Sequence, residues 1–391
     1  MDPVDNPYAP GAGLRPPVLA GRADELAAFD AVLRRGELGR VSRGLVLTGL
    51  RGVGKTVLVN EMADRAEARG WVVVQSEARR DGTGPLLANV AAQLTAGVRR
   101  LHGARLSDLA RTALASITAL TLTVDSTGTV RASVSASPGR DGAMGSGDLE
   151  VDLVQVAVDV GRAAMEAGVG AVLLLDELHE LDRPSMAALA GAAHVAGQRS
   201  VPFVVVGAGL PNLAGRLAEA KSYAERLFDF RRLGPLSREI AVAALEEPAA
   251  AAGVTWEPAA VDVVADAAGG FPYFLQEFGA ACWNLAEEGV VTVRDATAGV
   301  RLGQLMLDHG FFLSRWDRAT ATEREFLRAM AVAGEQCRTA DVAQRMGRTM
   351  SNLGPIRAGL IGKGLVYAPE HGVVAFTVPG MGEFIRREDA R

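Results

Sequence analysis

The sequence predicts an α/β fold: a parallel sheet sandwiched by helices, followed by an all-helical segment and an α+β winged helix. Three observations predict it. The apolar triplet Leu45-Val46-Leu47 runs into the glycine-rich loop Gly49-Leu50-Arg51-Gly52-Val53-Gly54-Lys55-Thr56, and a helix pattern follows. A second run, Ala171-Val172-Leu173-Leu174-Leu175, ends in Asp176-Glu177; such a run suits a strand covered on both faces. Beyond residue 320, three short helix patterns precede a hairpin signal.

Taken in order, residues 1–15 are rich in Pro and Gly and read as a flexible tail. Residues 16–236 read as the α/β core. Val18 to Leu26 leads into an amphipathic helix reaching about Arg35, then come the first strand, the glycine-rich loop and its helix. Trp71-Val72-Val73-Val74 is the second strand, with a helix around Leu86–Leu101. After the strand ending at Asp176 follow a helix at Ser185–Gly197, the strand Phe203–Val206, a helix near Leu213–Phe228 and a short strand at Phe230–Leu233. Strands alternating with helices imply right-handed crossovers, with ligands at the carboxyl ends of the strands. Residues 119–148 break the alternation. Leu120, Leu122 and Val124, a turn, then Val130, Ala132 and Val134 alternate like a β-hairpin, and a flexible stretch follows, so this segment reads as an insertion.

From Ser237 to about Arg318 the pattern is helical: Arg238–Ala252, Pro258–Ala268, Pro272–Glu288 and a less regular remainder. Residues 319–391 read as the winged helix-turn-helix. Thr322-Glu323-Arg324-Glu325 is a capping box, Thr339 and Ser351 cap two further helices, and Leu365-Val366-Tyr367 pairs with Val373–Phe376 in the hairpin.

Composition narrows the function. A chain of 391 residues with 49% hydrophobic and 22% charged residues has ample core for two or three domains. A net charge of −5 excludes coating nucleic acid through bulk charge, so any such contact needs a local patch. The two cysteines, Cys282 and Cys337, offer neither a disulfide framework nor metal spacing, which points to the cytoplasm. The N-terminus lacks the order of a signal peptide, and the apolar stretch 151–175 carries Asp152, Asp159, Arg162 and Glu166, so no membrane span is expected.

The glycine-rich loop matches the P-loop, G-x-x-x-x-G-K-[ST], and defines the fold class as a P-loop NTPase. Backbone N–H groups of Gly49, Leu50, Arg51, Gly52, Val53 and Gly54, with Val57 beyond, would wrap the phosphates. Lys55, one of three lysines in the chain, would reach the β/γ oxygens, and Thr56 would hold Mg²⁺. Asp176 would complete the Mg²⁺ shell, and Glu177 would polarise the attacking water. With ATP and Mg²⁺ as cofactors this is an ATPase. Guanine is disfavoured, because neither Lys221 nor Lys363 lies in an Asn-Lys-x-Asp motif.

These motifs, with Gly21-Arg22-x-x-Glu25-Leu26, the turn Gly207-Ala208-Gly209-Leu210-Pro211 and the winged helix, resemble AAA+ ATPases of the origin-recognition-like group and the related STAND signalling NTPases over nearly the whole chain. The resemblance implies that Gly21 and Arg22 border the adenine and that residues 237–318 form a lid. It also implies that Asn212 lies near the sensor 1 position, and that Arg226 reaches the γ-phosphate of a neighbouring subunit in a homo-oligomer. Where the lid helix of AAA+ proteins supplies a sensor 2 arginine, this chain has Gly269-Gly270-Phe271-Pro272-Tyr273, a Gly-x-Pro closer to the STAND group, with Pro272 starting the helix beside the nucleotide. The reading is a slow, ATP-controlled switch. One class is DNA-associated, with Arg345, Arg348, Arg357 and Lys363 meeting double-stranded DNA; the other is a regulatory NTPase whose winged helix makes protein contacts.

Overall fold

The computed structural model describes residues 1–80, 83–103, 105–123, 145–287 and 289–390. Five parallel strands form the central sheet: β1 (Gly44–Thr48), β2 (Val72–Glu77), β3 (Ala171–Asp176), β4 (Phe203–Gly209) and β5 (Phe228–Arg232), in the order β2-β3-β4-β1-β5. Strand residues divide by parity. Leu45, Leu47, Val172, Leu174, Val204 and Val206 pack on one face with Phe29, Leu33, Leu58 and Met62, which come from α1 (Ala23–Glu37) and α2 (Lys55–Ala68). Val46, Leu173, Leu175 and Val205 face the other layer: α3 (Thr83–His102), α4 (Asp108–Thr123), α5 (Leu149–Glu166), α6 (Arg183–Gln198) and α7 (Leu213–Ala220). Both faces are thus dry, and the polar ends of β1 and β3 emerge at one edge, separated by β4.

Two expectations are corrected in this core. Residues 119–123 belong to the helix α4 and form no hairpin strand. Ala110, Ala113, Ile117 and Leu120 are buried at three- and four-residue spacing, a helical stripe that the Leu-Thr alternation obscured. The remainder of the expected hairpin, 124–144, lies outside the described residues. The expected helix near Leu213–Phe228 is two pieces, α7 and α8 (Ala224–Leu227), and Phe228 already belongs to β5, where it is buried against the sheet.

The rest of the chain is α9 (Arg238–Ala251), β6 (Thr255–Trp256), α10 (Pro258–Ala268), α11 (Pro272–Leu285), β7 (Val290–Val291), α12 (Val293–Met306), a π-helical turn Leu307–Phe312 and α13 (Leu313–Trp316). Then follow α14 (Ala321–Ala333), β8 (Gln336–Arg338), α15 (Thr339–Met346), α16 (Met350–Gly362), β9 (Val366–Tyr367), β10 (Val373–Phe376) and α17 (Met381–Asp389). Strands β8, β10 and β9 form an antiparallel sheet beside α14–α16, three strands where the sequence reading expected a two-stranded hairpin. One apolar cluster runs from Leu236 to Ile385, so the helical segment and this C-terminal module share a core.

The caps differ in detail from the sequence reading. The capping box is Thr320 with Glu323, and the box at Thr322 is displaced because the helix starts two residues earlier. Thr339 is the first residue inside α15, its hydroxyl buried without a partner, and Thr349 precedes α16 in place of Ser351. The N-terminal tail is not loose. Tyr8 is buried in the helical segment; its hydroxyl donates to the Leu245 carbonyl at 2.6 Å and accepts from Trp256 Nε1 at 3.0 Å. Burial of one aromatic ring with both polar ends satisfied outweighs the local Pro/Gly composition. Tyr8→Phe takes a second donor from the Leu245 carbonyl and leaves the buried indole N–H unpaired, and should destabilise the protein by about 1–3 kcal/mol in urea unfolding, whereas a free tail would show no change.

Candidate functional site

The P-loop joins β1 to α2 at the edge where β3 also ends. Gly49 is required there because a Cβ would stand 2.4 Å from the Leu233 carbonyl oxygen, and Gly54 because its φ is +88°. With no side-chain cap on α2, its first N–H groups face a cavity of about 930 Å³. Arg22, Arg51, Gly52, Val53, Gly54, Lys55, Thr56, Val57, Asp176, Glu177 and Pro272 all line that cavity, so most of the expected site residues converge.

Thr56 Oγ1 donates to Asp176 Oδ2 at 2.5 Å, which brings together the two oxygens expected for Mg²⁺. A hydroxyl and one carboxylate fit this hard cation, which keeps water and phosphate oxygens for its remaining positions. No group of three His, Cys, Asp or Glu that could hold a metal ion occurs among the described residues. Glu177 follows at φ 49°, ψ 32°, a left-handed conformation that costs a non-glycine residue roughly 1 kcal/mol or more. That twist turns its carboxylate away from Asp176 toward Arg51 Nη1, at 3.2 Å, and His179 Nδ1, at 3.3 Å. One oxygen of Glu177, Oε2, is buried without a hydrogen-bond donor.

Lys55 is 7% exposed, and its ammonium donates to the carbonyls of Gly49 (2.9 Å) and Leu50 (2.8 Å). Burial pushes it down to about 8, with Arg51 adding to the shift and the carboxylates of Glu177 and Asp176 opposing it. Arg22, buried, donates to the carbonyls of Val53 (2.9 Å) and Gly234 (3.1 Å) and so braces the loop. Leu50 and Gly49 sit behind the loop; Leu50 packs against Leu210, Tyr367 and Ala375, and Gly21 adjoins Leu236 and Ile240.

Other expected residues lie apart. Asn212 heads α7 outside the cavity lining, with its Oδ1 buried and unpartnered. Arg226 is exposed on α8. Of the four C-terminal cations, Lys363 pairs with Glu323 (2.5 Å), Arg348 with Glu325 (3.3 Å), and Arg357 donates to the Val373 carbonyl (3.2 Å), all within the module; Arg345 is exposed on α15. Tyr273, which the sequence reading quoted only as the end of the Gly-x-Pro stretch, also lines the cavity, as do Phe311 and Arg315, which it did not find. No local motif marks Phe311 or Arg315; they arrive by long-range packing.

A dry parallel sheet whose P-loop and terminal Asp-Glu pair meet in one cavity defines a P-loop NTPase. Residues 18–206 match the AAA ATPase domain family. Residues 309–385 match a domain of unknown function, DUF8462. No curated protein matches the sequence. Among solved structures, the chain is similar to the Walker-type ATPase PABY2304 of Pyrococcus abyssi, with a TM-score of 0.58 at 13% identity over 95% of this chain and 97% of that one. The Thermotoga maritima RuvB Holliday junction branch migration motor gives a TM-score of 0.47 at 16% identity, over 93% of this chain and 96% of that one. The Aeropyrum pernix ORC1 protein in complex with DNA gives 0.46 at 15%, over 96% and 94%. The first similarity shows a shared fold. No helix among the described residues is long and apolar enough to cross a membrane.

The depressed Lys55 has a measurable consequence. Phosphate favours the ammonium form, so a bound nucleotide raises the Lys55 pKa from about 8 and binding takes up a proton above that pH. Affinity should therefore be full below about pH 8 and fall toward tenfold per pH unit above it. Titration calorimetry in buffers of different ionisation enthalpy checks this; proton release on binding, or a flat profile from pH 7 to about 9.5, would contradict it.

Proposed function

We propose that the protein is an ATP-binding, slowly hydrolysing switch in which the nucleotide state controls the C-terminal module. One observation carries the reading: the Arg51 amide of the P-loop donates to the Thr377 carbonyl of that module at 3.0 Å, beside the contact of Leu50 with Tyr367 and Ala375. The loop that would take the phosphates is the loop on which the module rests.

In this reading Lys55 leaves the Gly49 and Leu50 carbonyls for the β/γ oxygens. Mg²⁺, held by Thr56 and Asp176, neutralises the charge of the transferred group. Glu177 orients water once it is freed from Arg51, and Asn212 lies close enough in sequence to the end of β4 to report on that water. Holding Glu177 in an ion pair keeps turnover slow. Arg226, exposed, is available to a second copy in an ATP-state homo-oligomer, where it would act on the neighbour's γ-phosphate. Lys55→Ala should abolish tight ATP binding, and Glu177→Gln should keep binding while losing roughly 100-fold or more in hydrolysis. Equal turnover by Glu177→Gln and the parent would reject Glu177 as the water-orienting group. Hydrogen exchange at Tyr367 and Thr377 should quicken with a non-hydrolysable ATP analogue relative to ADP.

The regulatory class, with protein contacts, is the better supported one for the module. Two of its four candidate DNA cations, Arg348 and Lys363, are ion-paired within it, and Arg345 and Arg357 each donate to a carbonyl of the module. The exposed residues of α16, Met350, Ser351, Asn352, Gly354, Pro355, Ala358 and Gly362, are uncharged. A recognition helix entering the major groove normally brings donors and phosphate-neutralising cations with it. Double-stranded DNA should accordingly bind weakly, and Arg348→Glu/Arg357→Glu should change little. Binding that falls steeply between about 50 and 200 mM salt and vanishes in this double variant would restore the DNA-associated reading.

A further inference from the structure

The segment that matches a domain of unknown function starts at residue 309 and contains Arg315, whereas the ATPase-domain match ends at residue 206. Arg315 nevertheless lines the same cavity as Lys55, Thr56, Asp176 and Glu177. The π-helical turn Leu307–Phe312 positions it. A single wider turn shifts the side chains that follow, and Arg315 then covers Phe311, with its guanidinium carbon 4.0 Å from the ring centre. Its Nη1 donates to the Phe311 carbonyl at 2.6 Å. Phe311 in turn stacks on Tyr273, with centroids 4.9 Å apart, and the Tyr273 amide donates to the Gly52 carbonyl of the P-loop at 3.2 Å. The guanidinium is therefore held in register with the phosphate loop.

Its electrostatic surroundings are incomplete. The Nε atoms of Arg315 and Arg51 are buried and have no hydrogen-bond partner. Among the described residues neither Arg315 nor Arg318 has an ion pair, and Arg51 has Glu177 alone. Burial first, then Arg51 and Arg318, push Arg315 down to about 10, so it stays charged at neutral pH while its neighbours repel it. Arg51 and Arg315 line the cavity together with Lys55, and Arg318 adds to the repulsion on Arg315, so beyond the carboxylates of Asp176 and Glu177 the mouth of a loop made for phosphates favours an anion of more than one charge.

We propose that Arg315 binds the terminal phosphate of the nucleoside triphosphate held by the P-loop, so that the domain of unknown function completes the ATPase site. This rests on the cavity being the nucleotide site. A triphosphate then satisfies Arg315 and draws Arg51 from Glu177. A diphosphate ends short of Arg315 and leaves Arg51 on Glu177. The residue thereby separates the two nucleotides, and because it belongs to the C-terminal segment the difference is felt directly by that segment.

The test compares the affinities of a non-hydrolysable ATP analogue and of ADP for the full chain. Arg315→Gln should weaken the triphosphate roughly tenfold or more and change ADP by less than about twofold, with Arg315→Lys recovering part of the loss. Arg315→Met, whose stem still packs on Phe311, replaces the glutamine variant if thermal unfolding shows that the latter does not fold. Equal weakening of both nucleotides, or an unchanged triphosphate, overturns the proposal and leaves the nucleotide site intact. A wild-type chain that binds neither nucleotide removes the site reading and this proposal with it.

Discussion

Four parts of the chain donate a hydrogen bond to, or accept one from, the short loop between β1 and α2. Gly49 N–H goes to the Gly209 carbonyl at the end of β4, Arg22 holds the Val53 carbonyl, the Tyr273 amide of α11 holds the Gly52 carbonyl, and the Arg51 amide holds Thr377. Each such bond contributes about 1 kcal/mol net. Together they fix the loop; singly, each is weak enough for a ligand on the loop to displace. A phosphate chain competes on much better terms, with several charge-assisted bonds at once. In the proposed switch, the position of the C-terminal module would then be tied to the occupancy of the loop without any dedicated relay.

The same geometry gathers cations where desolvation penalises them. Lys55 is depressed to about 8 and Arg315 to about 10, in both cases chiefly by burial. Asp176 and Glu177 offset part of this, and the strained backbone of Glu177 is retained where its carboxylate can meet Arg51. Away from the loop, Glu180 shows the opposite balance. Burial raises it, but His179 and Arg80 pull it down to about 2, and Arg80 also donates to the Ile361 carbonyl at 3.2 Å. The contact between core and C-terminal module thus has a second anchor that involves no phosphate-binding residue.

The sheet and the loop were legible because both are local. β1 and β3 announce themselves as uninterrupted apolar runs, and the P-loop spacing is a backbone requirement written in glycine, as Gly49 and Gly54 show. Legibility failed where the deciding contact was distant. The Pro/Gly-rich tail looked loose, yet Tyr8 finds Leu245 and Trp256 far along the chain. The alternation around Leu120 looked like a strand until the stripe through Ala113 and Ile117 was buried against the neighbouring helices. Arg315 carried no signal at all, since its place depends on a π-helical turn and on Tyr273.

In the proposed switch, the residues around Glu177 would link slow turnover to tight coupling. The carboxylate that would orient water is engaged by Arg51, and Arg51 is fixed through its own amide to Thr377. Freeing Glu177 for chemistry then requires moving the residue that carries the contact with the module. An exposed ion pair would be worth under about 1 kcal/mol and would impose little delay, but this one is mostly shielded, with side chains 29% and 20% exposed. Breaking a partly buried pair leaves both charges in need of new partners. In the proposed nucleotide complex those partners would be the terminal phosphate for Arg51 and water for Glu177, so the activating step and the loosening of the module would draw on the same rearrangement.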